Sequence, residues 1–204
     1  MREYSIDKFL EELSSGAPVP GGGGASALMG GVASSLCSMV ANLTTGKKKY
    51  AEYQGDIDRI LATTATLTNE ITELIEKDAE AFEPLSKAYS IPKDEPGRDE
   101  ILENALRVAS DAPYQIVAKT LEVADLIEEL SVKGSRLAIS DVGVAAAACR
   151  AAAMGASMNV YINTKLMKDR EYALAMNEKT DNAVATVVTK CDKAYELVLG
   201  GLKG

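Results

Sequence analysis

Residues Pro18 to Lys49, PVPGGGGASALMGGVASSLCSMVANLTTGKKK, decide how this chain folds. The segment opens on a proline-rich turn, passes the glycines Gly21, Gly22, Gly23 and Gly24, and runs from Ala25 to Leu43 without a charged side chain. Ala27, Gly31 and Ser35, and likewise Gly30, Ser34 and Ser38, recur at helical spacing. Such rows of small residues let neighbouring helix backbones approach closely. Apolar almost all round, the segment is predicted to be the central helix of the protein. The glycines leave backbone N–H groups uncovered where that helix begins, a place that favours anions and polar acceptors. Its far end carries Lys47, Lys48 and Lys49.

Outward from this cassette the periodicity stays helical. Ile6, Phe9, Leu10 and Leu13 after Ser5 predict a short amphipathic helix lying on the core. From Tyr50 to Tyr89 a long helical pattern carries Ile57, Ile60, Leu61, Leu67, Ile71, Leu74, Ile75, Phe82 and Leu85, with Pro84 near its end. The run from Ser90 to Gly97 holds Pro92 and Pro96 and breaks the chain. A new helix from Arg98 reaches beyond Ile127, with a kink or short break expected at Pro113. Ser140 and Asp141 are placed to cap an alanine-rich helix, and a last helix runs from Glu171 to Leu202. No segment alternates with period two. The prediction is an all-α bundle of five to seven helices, two of them long, forming one domain over residues 1–204.

Composition narrows the chemistry. The 204 residues carry a formal net charge of −8, which argues against non-specific binding to nucleic acid or an anionic membrane. Any anionic ligand must meet a local basic cluster, and Lys47 to Lys49 is the best one. There is no histidine, so proton transfer falls to Asp, Glu, Lys, Tyr or Cys. Cys37, Cys149 and Cys191 are isolated and suggest neither a disulfide framework nor a zinc site, which fits a reducing cytoplasm. The N-terminus lacks an apolar leader and is taken as mature protein. Ala25 to Leu43 is long enough for a membrane span, but its Ser, Gly and Ala content and Asn42 favour a buried soluble helix.

Within the long stripe, Asp78 occupies the position seven residues after Ile71, where an apolar residue is expected. A carboxylate there is either a structural group held by a lysine or backbone donors, or an acid with a raised pKa. Gly22, Gly24 and Ala27 match G-x-G-x-x-A formally, but a dinucleotide site needs a preceding strand, and no P-loop sequence surrounds Gly46-Lys47. The lysines can equally follow a helix C-terminus capped by Gly46. Asn159 and Asn163, one turn apart, either serve a site or satisfy buried polar groups, and Tyr161 points to another face.

Taken together, Phe9-Leu10-Glu11-Glu12-Leu13, Pro20 to Gly24, Met39 to Lys49, Asp78-Ala79-Glu80-Ala81-Phe82, Ile91-Pro92-Lys93, Ser140-Asp141 and Asn159 to Asn163 resemble the cyclodeaminase/cyclohydrolase family of folate enzymes. The resemblance spans nearly the whole chain. It implies a helical bundle that pairs as a homodimer, and closure of 5-formimidoyltetrahydrofolate to 5,10-methenyltetrahydrofolate with release of ammonia. Hydrolysis of the methenyl form is the alternative within the family, and a non-catalytic helical interaction protein is the alternative outside it. The family's acid-base aspartate matches Asp78. The implied substrate is a tetrahydrofolate derivative, polyglutamylated or not, with no further cofactor and no metal. Gly21 to Gly24, Lys47, Lys48, Lys49, Lys93, Asp141, Asn159 and Asn163 are the expected binding residues. Gly24 departs from the family's frequent serine, and a separate formiminotransferase is implied because this chain has no such region.

Overall fold

The computed structural model describes residues 1–204, and every regular element in it is helical. The α-helices are α1 (Ile6–Leu13), α2 (Gly22–Asn42), α3 (Gln54–Tyr89), α4 (Arg98–Lys133), α5 (Ile139–Thr164) and α6 (Arg170–Lys203). Short 3₁₀ turns at Lys48–Tyr53 and Arg136–Ala138 lead into α3 and α5. Ser5 caps α1 by accepting the Lys8 N–H at 3.1 Å. The turn between α3 and α4 ends on Gly97, whose φ of +82° suits a residue without a Cβ.

α2 packs on α3, α4 and α5, and α5 also packs on α4 and α6. One large apolar cluster joins Ile57, Ile60, Leu67 and Ile71 of α3 to Val123, Ile127 and Leu130 of α4 and to Val187 of α6. Small residues bring α2 and α5 together: a methyl group at Gly155 would stand 2.6 Å from Ser26 Oγ, so the helices close onto each other only because glycine is there. Cys37, Cys149 and Cys191 are free and buried in the same cluster. Burial pushes the Cys37 thiol up to about 12, which leaves it unreactive at neutral pH.

Several sequence expectations change. α4 continues through Pro113 without the break expected there, so three helices, of 34 to 36 residues, exceed thirty. Pro113 removes one N–H, and the freed Ala109 carbonyl accepts a hydrogen bond from Asn163 Nδ2 at 3.0 Å instead. α3 likewise runs past Pro84 to Tyr89. α5 begins at Ile139 with no side-chain cap, because the preceding 3₁₀ turn feeds directly into it; Ser140 and Asp141 therefore lie inside its first turn. The C-cap of α2 is Leu43, and Gly46, with φ +72°, lies in the turn beyond. Only Phe9 of α1 is buried, while Ile6 and Leu10 remain exposed. α2 is not enclosed on all sides either: Val32, Met39 and Leu43 form an open stripe along it.

Candidate active site

α2 opens at Gly22, so Gly22, Gly23 and Gly24 form its first turn, and the first intrahelical bond runs from Ala25 N to the Gly21 carbonyl. The N–H groups ahead of it have no helical acceptor. Asp78, on α3, meets this turn. Its carboxylate lies flat against the Cα of Gly23, where any Cβ would overlap it. Glycine is thus required at position 23 for the carboxylate to sit at the helix N-terminus. Gly24 is packed differently, against Pro20 and Ile75, and its backbone N–H favours the ionised form of Asp78.

Around this contact lies a cleft of about 240 Å³, lined by Gly21, Gly22, Gly23, Asp78, Asn159 and Asn163 together with Pro18, Val19, Phe82, Ala109, Pro113 and Ile162. No lysine or arginine is among them. The structural alternative in which a lysine holds Asp78 is therefore absent. Loss of water pushes the Asp78 carboxyl above its ordinary pKa, and the Gly24 N–H offsets part of that shift by favouring the charged form. The outcome is a half-buried acid that can hold or release a proton closer to neutrality than an exposed aspartate does.

The two asparagines differ. Asn159 Nδ2 donates to the Gly155 carbonyl at 3.0 Å, and its amide group packs against Gly22 at the mouth of the cleft. Asn163 repairs the break in hydrogen bonding that Pro113 makes. Tyr161 turns away, as its spacing predicts, and donates to Asp181 of α6 at 2.5 Å; burial and that carboxylate push its pKa up to about 12.

The remaining sequence-predicted residues stand elsewhere. Lys47, Lys48 and Lys49 follow the opposite end of α2, which the rise of its 21 residues places about 31 Å from the cleft. Asp141 is near that same far end, in the first turn of α5. Lys93 lies on the exposed loop after α3, at the cleft end of the bundle but outside the lining. Conversely, sequence reading did not single out Phe82, Ala109, Pro113 and Ile162 as cleft residues. Pro113 offered a signal: a proline inside a helix frees a carbonyl that something must satisfy. No cluster of three or more Cys, Asp or Glu side chains is arranged to hold a metal.

Residues 5–182 match the formiminotransferase-cyclodeaminase family. This chain belongs to that family. It is 37% identical to the methenyltetrahydrofolate cyclohydrolase of Methylorubrum extorquens, over 95% of both chains. It is 29% identical to the formimidoyltransferase-cyclodeaminase of Mus musculus over 98% of its own length, but spans only 37% of that longer protein. The crystal structure of formiminotetrahydrofolate cyclodeaminase from Thermotoga maritima shares the fold with a TM-score of 0.90 and 29% identity, over 98% of each chain.

Proposed function

We propose that this protein makes and breaks the 5,10-methenyl bridge of tetrahydrofolate, with Asp78 carrying the proton. The observation that supports this most is the placement of Asp78: half-buried, free of cations, with a raised pKa, on the N-terminus of α2. The cleft of about 240 Å³ falls below the roughly 300–1,000 Å³ of sites that enclose a drug-sized ligand, so it accepts a ring system and leaves the rest of the folate outside.

The cyclohydrolase reaction is the leading reading, because the relative of that name is the more similar one and matches nearly end to end. Water adds to the cationic methenyl carbon while Asp78 takes one of its protons. The tetrahedral carbon then carries a hydroxyl group between N5 and N10. Asp78 returns its proton to N5, the C–N5 bond breaks, and the hydroxyl proton leaves to solvent as the 10-formyl group forms. One proton is released overall.

The deaminating closure is the second reading, supported by the Thermotoga maritima neighbour and by the longer relatives. N10 adds to the carbon of the protonated formimidoyl group on N5, and the resulting amino group can depart only as ammonia. Asp78 moves the proton from N10 to that nitrogen, C–N breaks, and the methenyl bridge remains. Both reactions ask the same residue to serve the same carbon centre. A formiminotransferase activity would supply the formimidoyl substrate, and a cytoplasmic setting fits the buried free thiols.

The test follows methenyltetrahydrofolate spectroscopically with purified protein and, separately, formyl and formimidoyl substrates. Interconversion of formyl and methenyl forms alone supports the leading reading. Ammonia release from the formimidoyl form alone supports the second. Turnover of neither overturns the proposal.

A further inference from the structure

α5 and α6 run antiparallel in a register that three contacts fix. Gly143 lies against Val198, Arg150 pairs with Asp192, and Tyr161 donates to Asp181. The same register sets Cys149 of α5 level with Cys191 of α6, and both side chains belong to the large apolar cluster. Ala145, Ala146 and Ala194, all buried, keep the two backbones close there, which a bridge between facing cysteines requires.

The two thiols are placed differently. Cys149 is fully enclosed, and its thiol donates to the Thr120 carbonyl of α4 at 3.4 Å. Cys191 forms part of the wall of a cavity of about 220 Å³, along with Ala146, Ala147, Arg150, Asp192 and Tyr195. Arg150, Asp192 and Tyr195 are exposed along much of their length, so the cavity opens to solvent. Arg150 Nε is itself shielded and stands 3.0 Å from Asp192 Oδ1, yet it makes no hydrogen bond. It is a buried donor that a small polar guest of the cavity would satisfy.

The chemistry of the pair is also divided. Contact with the Cys149 thiol, and with it the Arg150 guanidinium, holds Cys191 below the ordinary thiol value despite burial beside Asp192. The same contact and the loss of water hold Cys149 above it. The pair therefore ionises at Cys191, on the cavity side, and the thiolate is the reactive form of a cysteine. Cys37, the third thiol of the cluster, is kept neutral by burial.

We infer that Cys191 is a modification site for hydrogen peroxide and that Cys149 resolves the product into a disulfide joining α5 to α6. Peroxide is scarcely larger than water, so the cavity admits it, and the Arg150 Nε–H can hold one of its oxygens. The Cys191 thiolate attacks the other oxygen, the O–O bond breaks, and the departing hydroxide takes a proton from solvent, leaving a sulfenic acid and water. The Cys149 sulfur then attacks the sulfenic sulfur; the S–S bond forms, and the hydroxyl group leaves with the Cys149 proton as a second water. Two thiols give up two electrons, and one peroxide becomes two waters. α5 also carries Asn159 and Asn163 to the cleft, so the bridge anchors to α6 the helix that builds that wall.

The test treats the folded wild type with hydrogen peroxide, unfolds it, alkylates the free thiols with iodoacetamide and maps the peptides by mass spectrometry. The protein is expected to lose two hydrogens, with the Cys149 and Cys191 peptides joined and Cys37 alone alkylated; dithiothreitol restores three alkylated thiols. Three free thiols at a peroxide dose that oxidises the same chain in urea, or a bridge that includes Cys37, overturns the inference. Two variants separate the roles. Cys149→Ala is expected to gain oxygen at Cys191, whereas Cys191→Ala stays unmodified at Cys149; oxygen on Cys149 instead overturns the order of attack. Arg150→Leu, with unchanged far-UV circular dichroism, is expected to slow the oxidation about tenfold by lowering the thiolate fraction, and an unchanged rate removes the guanidinium from the account. The oxidation needs no folate, so its outcome is judged apart from the proposed function.

Discussion

The two ends of α2 are made of opposite materials. At its N-terminus, glycines and a desolvated aspartate meet in a cleft without cations; past its C-terminus, lysines crowd a solvent corner without carboxylate partners. The first arrangement raises the pKa of an acid and suits proton transfer. The second offers charge without enclosure and suits holding a flexible anion. Under the proposed function the difference divides chemistry and binding between the ends of one helix, so changes at each end should separate in their effects.

The largest effect belongs to the cleft. Asp78→Asn removes the proposed proton carrier and is expected to lower turnover by about 10²–10⁴-fold while folate binding, followed by fluorescence titration, survives. Gly23→Ala forces a methyl group into the space of the carboxylate. It is expected to lower kcat by about 10²-fold through misplacement of Asp78, with correct folding checked by circular dichroism. Asn163→Ala leaves the buried Ala109 carbonyl without its donor, at a cost of about 1–3 kcal/mol in chemical denaturation. That loss should appear in stability more than in kcat.

The smallest effect is a stability gain. The folded-state pKa of Asp78 is raised, so the folded protein holds this proton more tightly than the unfolded chain does. The group costs nothing below the ordinary aspartate pKa and destabilises as pH rises through the shifted value. Asp78→Asn should therefore melt higher than wild type at neutral pH and match it under acid conditions, a trade of stability for function. A variant that melts lower at neutral pH would mean the carboxylate serves the fold.

Much of this arrangement was legible in the residues. Asp78 stands out because it interrupts an apolar stripe, and the stripe itself is strict enough to place it on the bundle side of α3. The cassette from Pro18 to Lys49 announced its helix, which begins at Gly22 rather than near Ala25 and is capped by Leu43 rather than Gly46. What could not be read was distance: a motif continuous in sequence becomes about 31 Å of helix, which separates lysines and glycines that the resemblance assigned to one site. Asp141 and Asn159 are separated along α5 in the same way. Nor could an uncharged helix show which of its faces stays open, since Val32 and Val40 are equally apolar in sequence, yet one is exposed and the other buried. The Pro113 to Asn163 relation was hidden for another reason, because it joins α4 to α5 across the fold.

The most direct measurement compares kcat and KM for Lys47→Ala/Lys48→Ala/Lys49→Ala with those for Asp78→Asn, on mono- and polyglutamylated substrate. The lysine variant is predicted to keep kcat and to raise KM about tenfold, more for the polyglutamylated form, a loss of about 1.4 kcal/mol in binding. Asp78→Asn is predicted to lose kcat for both forms alike. A lysine variant with unchanged KM for either substrate, or an aspartate variant with wild-type kcat, would contradict the division of labour between the two ends of α2.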